Sequence, residues 1–260
     1  MRNCLLLILP LILLPHDVIA QTPKEKGLAI VVEADKRDTG WKDQVAELEM
    51  ILRNKQGEES KRTLSIKTLE VDNDGDKSLT IFDNPRDVKG TAFLSYTHSL
   101  KPDDQWLYLP ALKRVKRISS ANKSGPFVGS EFAYEDLSSQ EVDKYTYKWL
   151  RDESYRGREN FVIERNPAYE DSGYTRQIVW IDKKNYHTNK VEFYDRKNAL
   201  LKTLDINDYE LYLDKYWRSH SMLMVNHQTG KETLLIWKKY KFSNNLDDRD
   251  FDINTLKRSR

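Results

Sequence analysis

Apolar and polar residues alternate with a period of two along most of the chain after Trp41. Leu48 and Met50, for example, alternate with Glu47 and Glu49. Similar segments recur about a dozen times, separated by short turn signals that contain Gly, Asn, Asp or Pro. This pattern predicts a long antiparallel meander in which each strand has one packed face and one solvated face.

A sheet of this length has to bury its apolar face by closing, by stacking, or by curling around helices. One predicted helix precedes the strands, and a short segment with helix-start character, residues 130–137, lies among them. The 14 Tyr, 8 Phe and 6 Trp favour strands over helices elsewhere. We therefore expect a mainly β (α+β) fold in which the meander curls around a few helices.

The helix before the strands has a well-defined start. Thr22 can cap it, Pro23 suits the first helical position, and Glu25 completes a capping box. The pattern predicts a helix over Pro23–Arg37. It is either a core-packing helix or a helix that lies over a concave sheet and covers a ligand surface.

Residues 1–20 have the features of a signal peptide. Arg2 gives a positive start, an apolar run follows over 5–14, and Ala20 ends a small-residue cleavage site. The competing interpretation is an uncleaved anchor. The single cysteine, Cys4, precedes the apolar run, so lipidation and disulfide formation are not expected. We expect residues 21–260 to form one domain and the mature protein to be soluble in the periplasm.

Three sequence motifs resemble those of a known family. They read G-L-A-I-x-x-E-A-D-x-R-D-T-G-W over 27–41, W-x-Y-L-P-x-L-x-R-V-x-R-I over 106–118, and G-P-F-x-G-S-E-F-x-Y-E-D-L over 125–137. The chain resembles the outer-membrane lipoprotein-sorting family, periplasmic proteins similar to the carrier LolA, in a branch associated with lipid-exporting transporters. The resemblance implies an incomplete, strongly curved β-barrel, a half-barrel, with helices in its mouth.

The same resemblance implies a carrier that binds acyl chains of a lipid or lipoprotein and moves them from an inner-membrane transporter to the outer membrane. We expect Val31, Phe127 and Phe132 to belong to a movable lid. We expect the wall that binds the acyl chains to consist of inward-facing residues of the alternating segments: Leu48, Met50, Leu52, Leu64, Ile66, Leu94, Tyr96, Trp106 and Tyr108. Core packing is the competing interpretation for each of these wall residues and lid residues.

The densest basic cluster is formed by Lys113, Arg114, Lys116 and Arg117. One interpretation is a solvated strand face. The other is a docking surface for a membrane partner or for anionic lipid head groups, with peripheral membrane contact at most. A non-enzymatic accessory module that docks on a lipid-exporting transporter or envelope complex is the alternative to a carrier.

The composition argues against other classes of protein. The formal net charge is only +2, whereas nucleic-acid binding requires a strong basic excess. The chain has no H-E-x-x-H motif, G-x-S-x-G elbow or phosphate-binding loop. We therefore expect no cofactor, no metal site and no catalytic residues. An envelope enzyme acting on lipid or glycan would need carboxylates that converge in the concavity.

Overall fold

Thirteen antiparallel strands form one sheet in residues 21–258, the part of the chain that this computed structural model describes. The expected signal peptide, residues 1–20, lies outside the described residues. The strands are β1 (Asp43–Arg53), β2 (Glu59–Leu69), β3 (Lys77–Asn84), β4 (Ala92–Tyr96), β5 (Asp104–Leu109), β6 (Arg114–Ile118), β7 (Tyr145–Tyr155), β8 (Arg158–Pro167), β9 (Arg176–Asp182), β10 (Thr188–Tyr194), β11 (Leu200–Tyr212), β12 (Tyr216–Asn226) and β13 (Glu232–Phe242).

The sheet is built as two meanders that meet in its middle. Strands β1 to β6 run in order to one edge, and β7 to β13 run from the opposite edge back to the centre, where β13 pairs with β1. The two meanders are joined by residues 119–144, which we call the crossover. The strand order places β6 and β7 at the two edges, so the sheet does not close into a barrel.

One face of the sheet buries a single large apolar cluster to which every strand contributes. Leu64 of β2, Phe93 of β4, Val179 of β9 and Met224 of β12 all belong to it. A flat sheet of this width could not bring its two edges into one cluster, so the sheet curls around this inner face. The predicted mainly β fold, an incomplete barrel with few helices, is confirmed.

Helix α1 spans Pro23–Arg37, the predicted range, and its capping box is present. The Thr22 hydroxyl accepts a hydrogen bond from the Glu25 amide, and the Glu25 carboxylate accepts one from the Thr22 amide. The helix lies on edge strand β7: a Cβ at Gly27 would be 2.7 Å from the Trp149 nitrogen. Ile30 points into the inner cluster. Within residues 21–258, no helix is long and apolar enough to cross a membrane.

The crossover does not form the expected helical flap. It contains short 3₁₀ turns, including Phe127–Gly129 and Tyr134–Leu137, rather than an α-helix. Phe127 and Phe132 are buried in the inner cluster. The crossover therefore fills one part of the concave face as a piece of the core.

The outer face of β3 to β5 is covered by the end of the chain. A 3₁₀ turn, Asp248–Phe251, and helix α2 (Ile253–Arg258) lie there. Phe251 and Leu256 are fully buried against Leu79 and Leu94. This part of the sheet is therefore packed on both faces.

Candidate functional site

A cavity of about 1420 Å³ lies between the second half of α1 and the inner face of the sheet. Val31 and Ala34 of α1 line one side, and Ile163 of β8, Ile181 of β9 and Met222 of β12 line the other. The crossover fills another part of the inner face and contributes only its last part, residues 138–143, to the cavity wall. The cavity is thus a part of the half-barrel that the core leaves open.

The wall of this cavity is rich in aromatic rings. His187 stacks on Tyr209 with ring centroids 3.8 Å apart, and Trp237 stacks on Tyr240 at 5.4 Å. Burial lowers the pKa of His187 to about 4, so this imidazole is neutral at pH 7. Rings of this kind provide apolar surface with a few polar atoms at their edges. The remaining aromatic lining residues are Trp41, Tyr147, Tyr186 and Trp217.

Charged residues surround the cavity, and most of them are acidic. Lys and Arg contribute four lining residues, Arg37, Arg165, Lys215 and Arg218. Carboxylates contribute nine: Asp35, Asp38, Glu70, Asp72, Asp74, Asp76, Glu141, Asp143 and Asp214.

The crowded carboxylates perturb one another. Burial, together with Glu141 and Glu70, raises the pKa of Asp76 to about 7. The charge of Asp76 therefore changes with pH near neutrality.

Helix α1 is held by polar contacts at both of its ends. The Lys26 ammonium lies 3.4 Å from the ring centroid of Trp149, and Arg37 donates a 3.0 Å hydrogen bond to the Lys184 carbonyl. Leu28 and Val32, on its outer side, are 46% and 47% exposed. The helix is thus closely packed along β7 on one side and exposed to solvent on the other.

The expected acyl-binding wall does not coincide with this cavity: none of its nine residues lines it. Leu48, Met50 and Leu64 are buried in the inner cluster, and Leu52 and Ile66 pack against it. These five do face the inner side of the sheet, as expected. They belong to the packed interior of that side, and any contact with a ligand stays a prediction.

The other four expected wall residues lie on the opposite face, so their predicted position on the concave side is wrong. Leu94, Tyr96, Trp106 and Tyr108 belong to the outer cluster beneath Phe251. The physical reason is strand alternation: Phe93 and Leu107, their sequence neighbours, are the residues that point inward.

The expected lid residues lie in two different places. Val31 lines the cavity, whereas Phe127 and Phe132 are core residues of the crossover. Polar contacts also fix the crossover, because Lys202 pairs with Asp136 at 2.7 Å with both side chains buried. We therefore regard α1, and not the crossover, as the candidate lid.

The basic cluster occupies the sheet edge. Lys113 is in the β5–β6 turn, and Arg114, Lys116 and Arg117 are on edge strand β6; all four are exposed. Arg117 forms an ion pair with Asp104. The cluster lies apart from the cavity lining.

Sequence reasoning missed the aromatic residues that line the cavity in the second meander, among them Tyr209 and Trp237. A usable signal existed in β12 and β13. Met222 pairs with Leu235 across the sheet, so the face that carries Met222 and Met224 also carries Leu235 and Trp237. Within residues 21–258, no group of three His, Cys, Asp or Glu side chains is arranged to hold a metal ion.

A family model with the description "Uncharacterized protein" matches residues 74–258. A comparison with curated protein sequences gave no match.

Three solved structures are similar over nearly the whole described chain. An outer membrane lipoprotein-sorting protein domain from Vibrio parahaemolyticus is 60% identical, with 90% of this chain and 99% of that chain covered and a TM-score of 0.89. A DUF1329 family protein from Desulfovibrio piger is 29% identical, with 90% and 99% covered and a TM-score of 0.86.

The third structure establishes similarity of fold alone. A LolA superfamily protein from Nitrosomonas europaea is 19% identical, with 88% of this chain and 98% of that chain covered and a TM-score of 0.71. The half-barrel is thus a LolA-like fold. Given the identity and coverage of the Vibrio match, this chain belongs to the family of outer membrane lipoprotein-sorting proteins.

Proposed function

We propose that this protein is a periplasmic carrier that binds the acyl chains of a lipid or lipoprotein in the cavity beneath α1. It receives them from an inner-membrane transporter and releases them toward the outer membrane. Family membership and the LolA-like fold support lipid or lipoprotein binding in general. The predicted signal peptide over residues 1–20 supports export to the periplasm.

The observation that carries this proposal is the cavity itself. Its volume of about 1420 Å³ exceeds the roughly 300–1,000 Å³ of a typical small-molecule pocket. Its wall combines Ile163, Val179, Ile181 and Met222 with aromatic rings. Burial of each methylene group on such a wall contributes about 0.8 kcal/mol, so a long acyl chain would be held without any covalent chemistry.

In this proposal α1 is the movable cover. Val31 and Ala34 face the cavity, and the helix touches the rest of the protein mainly along β7. The crossover stays in position because its aromatic side chains are buried and its carboxylate Asp136 is ion-paired. Acyl chains would enter and leave when α1 shifts away from the sheet.

A pair of tryptophan substitutions on α1 tests the proposal. Ala34 lines the cavity, whereas Ala29 is exposed on the same helix. Ala34→Trp fills part of the cavity, and we expect it to weaken binding of a fluorescent long-chain fatty acid at least about tenfold, since several methylene groups lose their contacts. Ala29→Trp is the matched control and should bind like the wild type.

Two results would contradict the proposal. Equal binding by the two tryptophan variants would mean that the acyl chain does not enter this cavity. A folded wild-type protein that binds no acyl probe would favour the alternative, a non-enzymatic accessory module that docks on a transporter.

A further inference from the structure

The β5–β6 hairpin presents an unusual combination of exposed groups. Lys113, Arg114 and Lys116 are exposed, and among the ion pairs of residues 21–258 none involves them. Leu112, in the same turn, is 62% exposed. Many other cations of the sheet have carboxylate partners, for example Arg53 with Glu59 and Lys238 with Glu49.

We infer that this hairpin docks the protein on an anionic phospholipid surface. Unpaired lysine and arginine side chains are attracted to anionic head groups, and a neighbouring exposed leucine can enter the boundary between head groups and acyl chains. Arg117 contributes less, because Asp104 already neutralises it. The attraction is electrostatic and therefore decreases with salt.

The fold also sets the orientation of the docked protein. In an antiparallel meander, alternate turns lie at opposite ends of the strands. The cavity is lined by the β2–β3 and β4–β5 turns, residues 70–76 and 99–100, so the β5–β6 turn lies at the other end. The carboxylate excess around the cavity is repelled by the same lipid head groups. The hairpin therefore faces the bilayer while the cavity mouth faces away, free for exchange with a protein partner.

Protection of the sheet edge is the competing role for these cations. Edge strands often carry lysine, which prevents the unpaired strand from associating with other sheets. That role predicts that the wild type does not bind vesicles and that the protein self-associates when the charges are removed. The two roles are therefore separable in one set of variants.

The test is co-sedimentation of the full chain with vesicles of phosphatidylglycerol mixed with phosphatidylcholine, and with vesicles of phosphatidylcholine alone. We expect salt-sensitive binding to the first kind only. Lys113→Ala with Lys116→Ala should weaken that binding about 25-fold, since each cation near an anionic surface contributes about fivefold. The control pair, Lys36→Ala with Lys101→Ala, removes the same charge from exposed sites elsewhere and should change binding less than twofold.

Several outcomes would overturn the inference. The wild type could bind both kinds of vesicle equally, or neither kind. The two double variants could lose vesicle binding to the same extent, or the hairpin variant could self-associate and show no other defect. Urea unfolding, measured on the same samples, checks that the hairpin variant is folded. Fatty-acid binding separates this inference from the proposed carrier function, because either activity can be lost while the other remains.

Discussion

The ring of Phe127, in the crossover, lies 5.2 Å from the ring of Phe93 on β4, centroid to centroid. Phe127 also contacts the ring of Phe82 on β3 at 5.7 Å and that of Tyr134 at 5.6 Å. These contacts make the segment that links the two meanders part of the core of the first one. A lid built from this segment would have to break an aromatic cluster each time it opened.

Truncation of Phe127 should therefore destabilise the whole protein. We expect Phe127→Ala to lower the free energy of unfolding by about 3–5 kcal/mol, as for other large-to-small core substitutions, and Phe127→Leu to cost less than half of that. Urea unfolding followed by tryptophan fluorescence measures both. An unchanged unfolding midpoint for Phe127→Ala would mean that the crossover is not part of the cooperative core.

The buried ion pair between Lys202 and Asp136 gives a second prediction. The Lys202 ammonium is 2.7 Å from the Asp136 carboxylate, and both side chains are less than one-tenth exposed. Lys202→Met would leave a buried carboxylate without its counter-ion, and we expect a loss of about 3–5 kcal/mol in urea unfolding. The double variant with Asp136→Asn should recover part of that loss. A single-variant effect below about 1 kcal/mol would contradict the importance of this pair.

Attachment of α1 depends on the absence of a side chain at Gly27. A Cβ at this position would lie 2.7 Å from the Trp149 nitrogen and 2.9 Å from the Lys148 carbonyl carbon. Gly27→Ala should push the helix away from β7 and reduce the hydrogen-exchange protection of α1 about tenfold or more, while the strands remain protected. Leu28→Ala, at an exposed site of the same helix, is the control. Equal protection in both variants would argue against close packing of α1.

The carboxylate of Asp76 predicts a pH-dependent stability. Its pKa of about 7 is above that of an unfolded aspartate, near 4. Between these pH values the folded protein binds more protons than the unfolded chain, so the free energy of unfolding decreases as the pH rises from about 4 to about 7.

Asp76→Asn removes this group and should reduce that slope. We expect the variant to be nearly as stable as the wild type at pH 4, and more stable by roughly 1–2 kcal/mol at pH 8, where Asp76 of the wild type is charged. The difference stays this small because Asp76 is partly exposed and solvent screens its charge. Thermal unfolding across this pH range measures the difference. A constant difference at all pH values would contradict a raised pKa at Asp76.

Much of the fold followed from local signals in the sequence. The capping box of Thr22 and Glu25 gave the start of α1, because both hydrogen bonds are local. Period-two alternation and turn residues predicted the meander, because most strands pair with their neighbours in sequence. The exception is the break between β6 and β7, which lie at opposite edges while β1 pairs with β13. The crossover was mispredicted because its 3₁₀ turns are fixed by burial of Phe127 and Phe132, which is a tertiary effect.

The candidate site was less accessible to sequence reasoning. Alternation divides the residues of each strand between two faces. It does not show which of these faces lies on the same side of the sheet as a given face of the next strand. Leu64 pairs with Phe82 on the inner face, whereas Leu94 pairs with Trp106 on the outer face. The cavity also depends on turns and on residues far apart in sequence, such as Val31 and Met222.

The most direct test of carriage is native mass spectrometry of the protein purified gently from the periplasm, followed by extraction and identification of bound lipid. We expect an acylated ligand on the wild type and on Ala29→Trp, and its loss from folded Ala34→Trp. A ligand that remains on Ala34→Trp would contradict binding beneath α1. A wild type that neither retains a ligand nor acquires one when incubated with a long-chain fatty acid would contradict carriage itself.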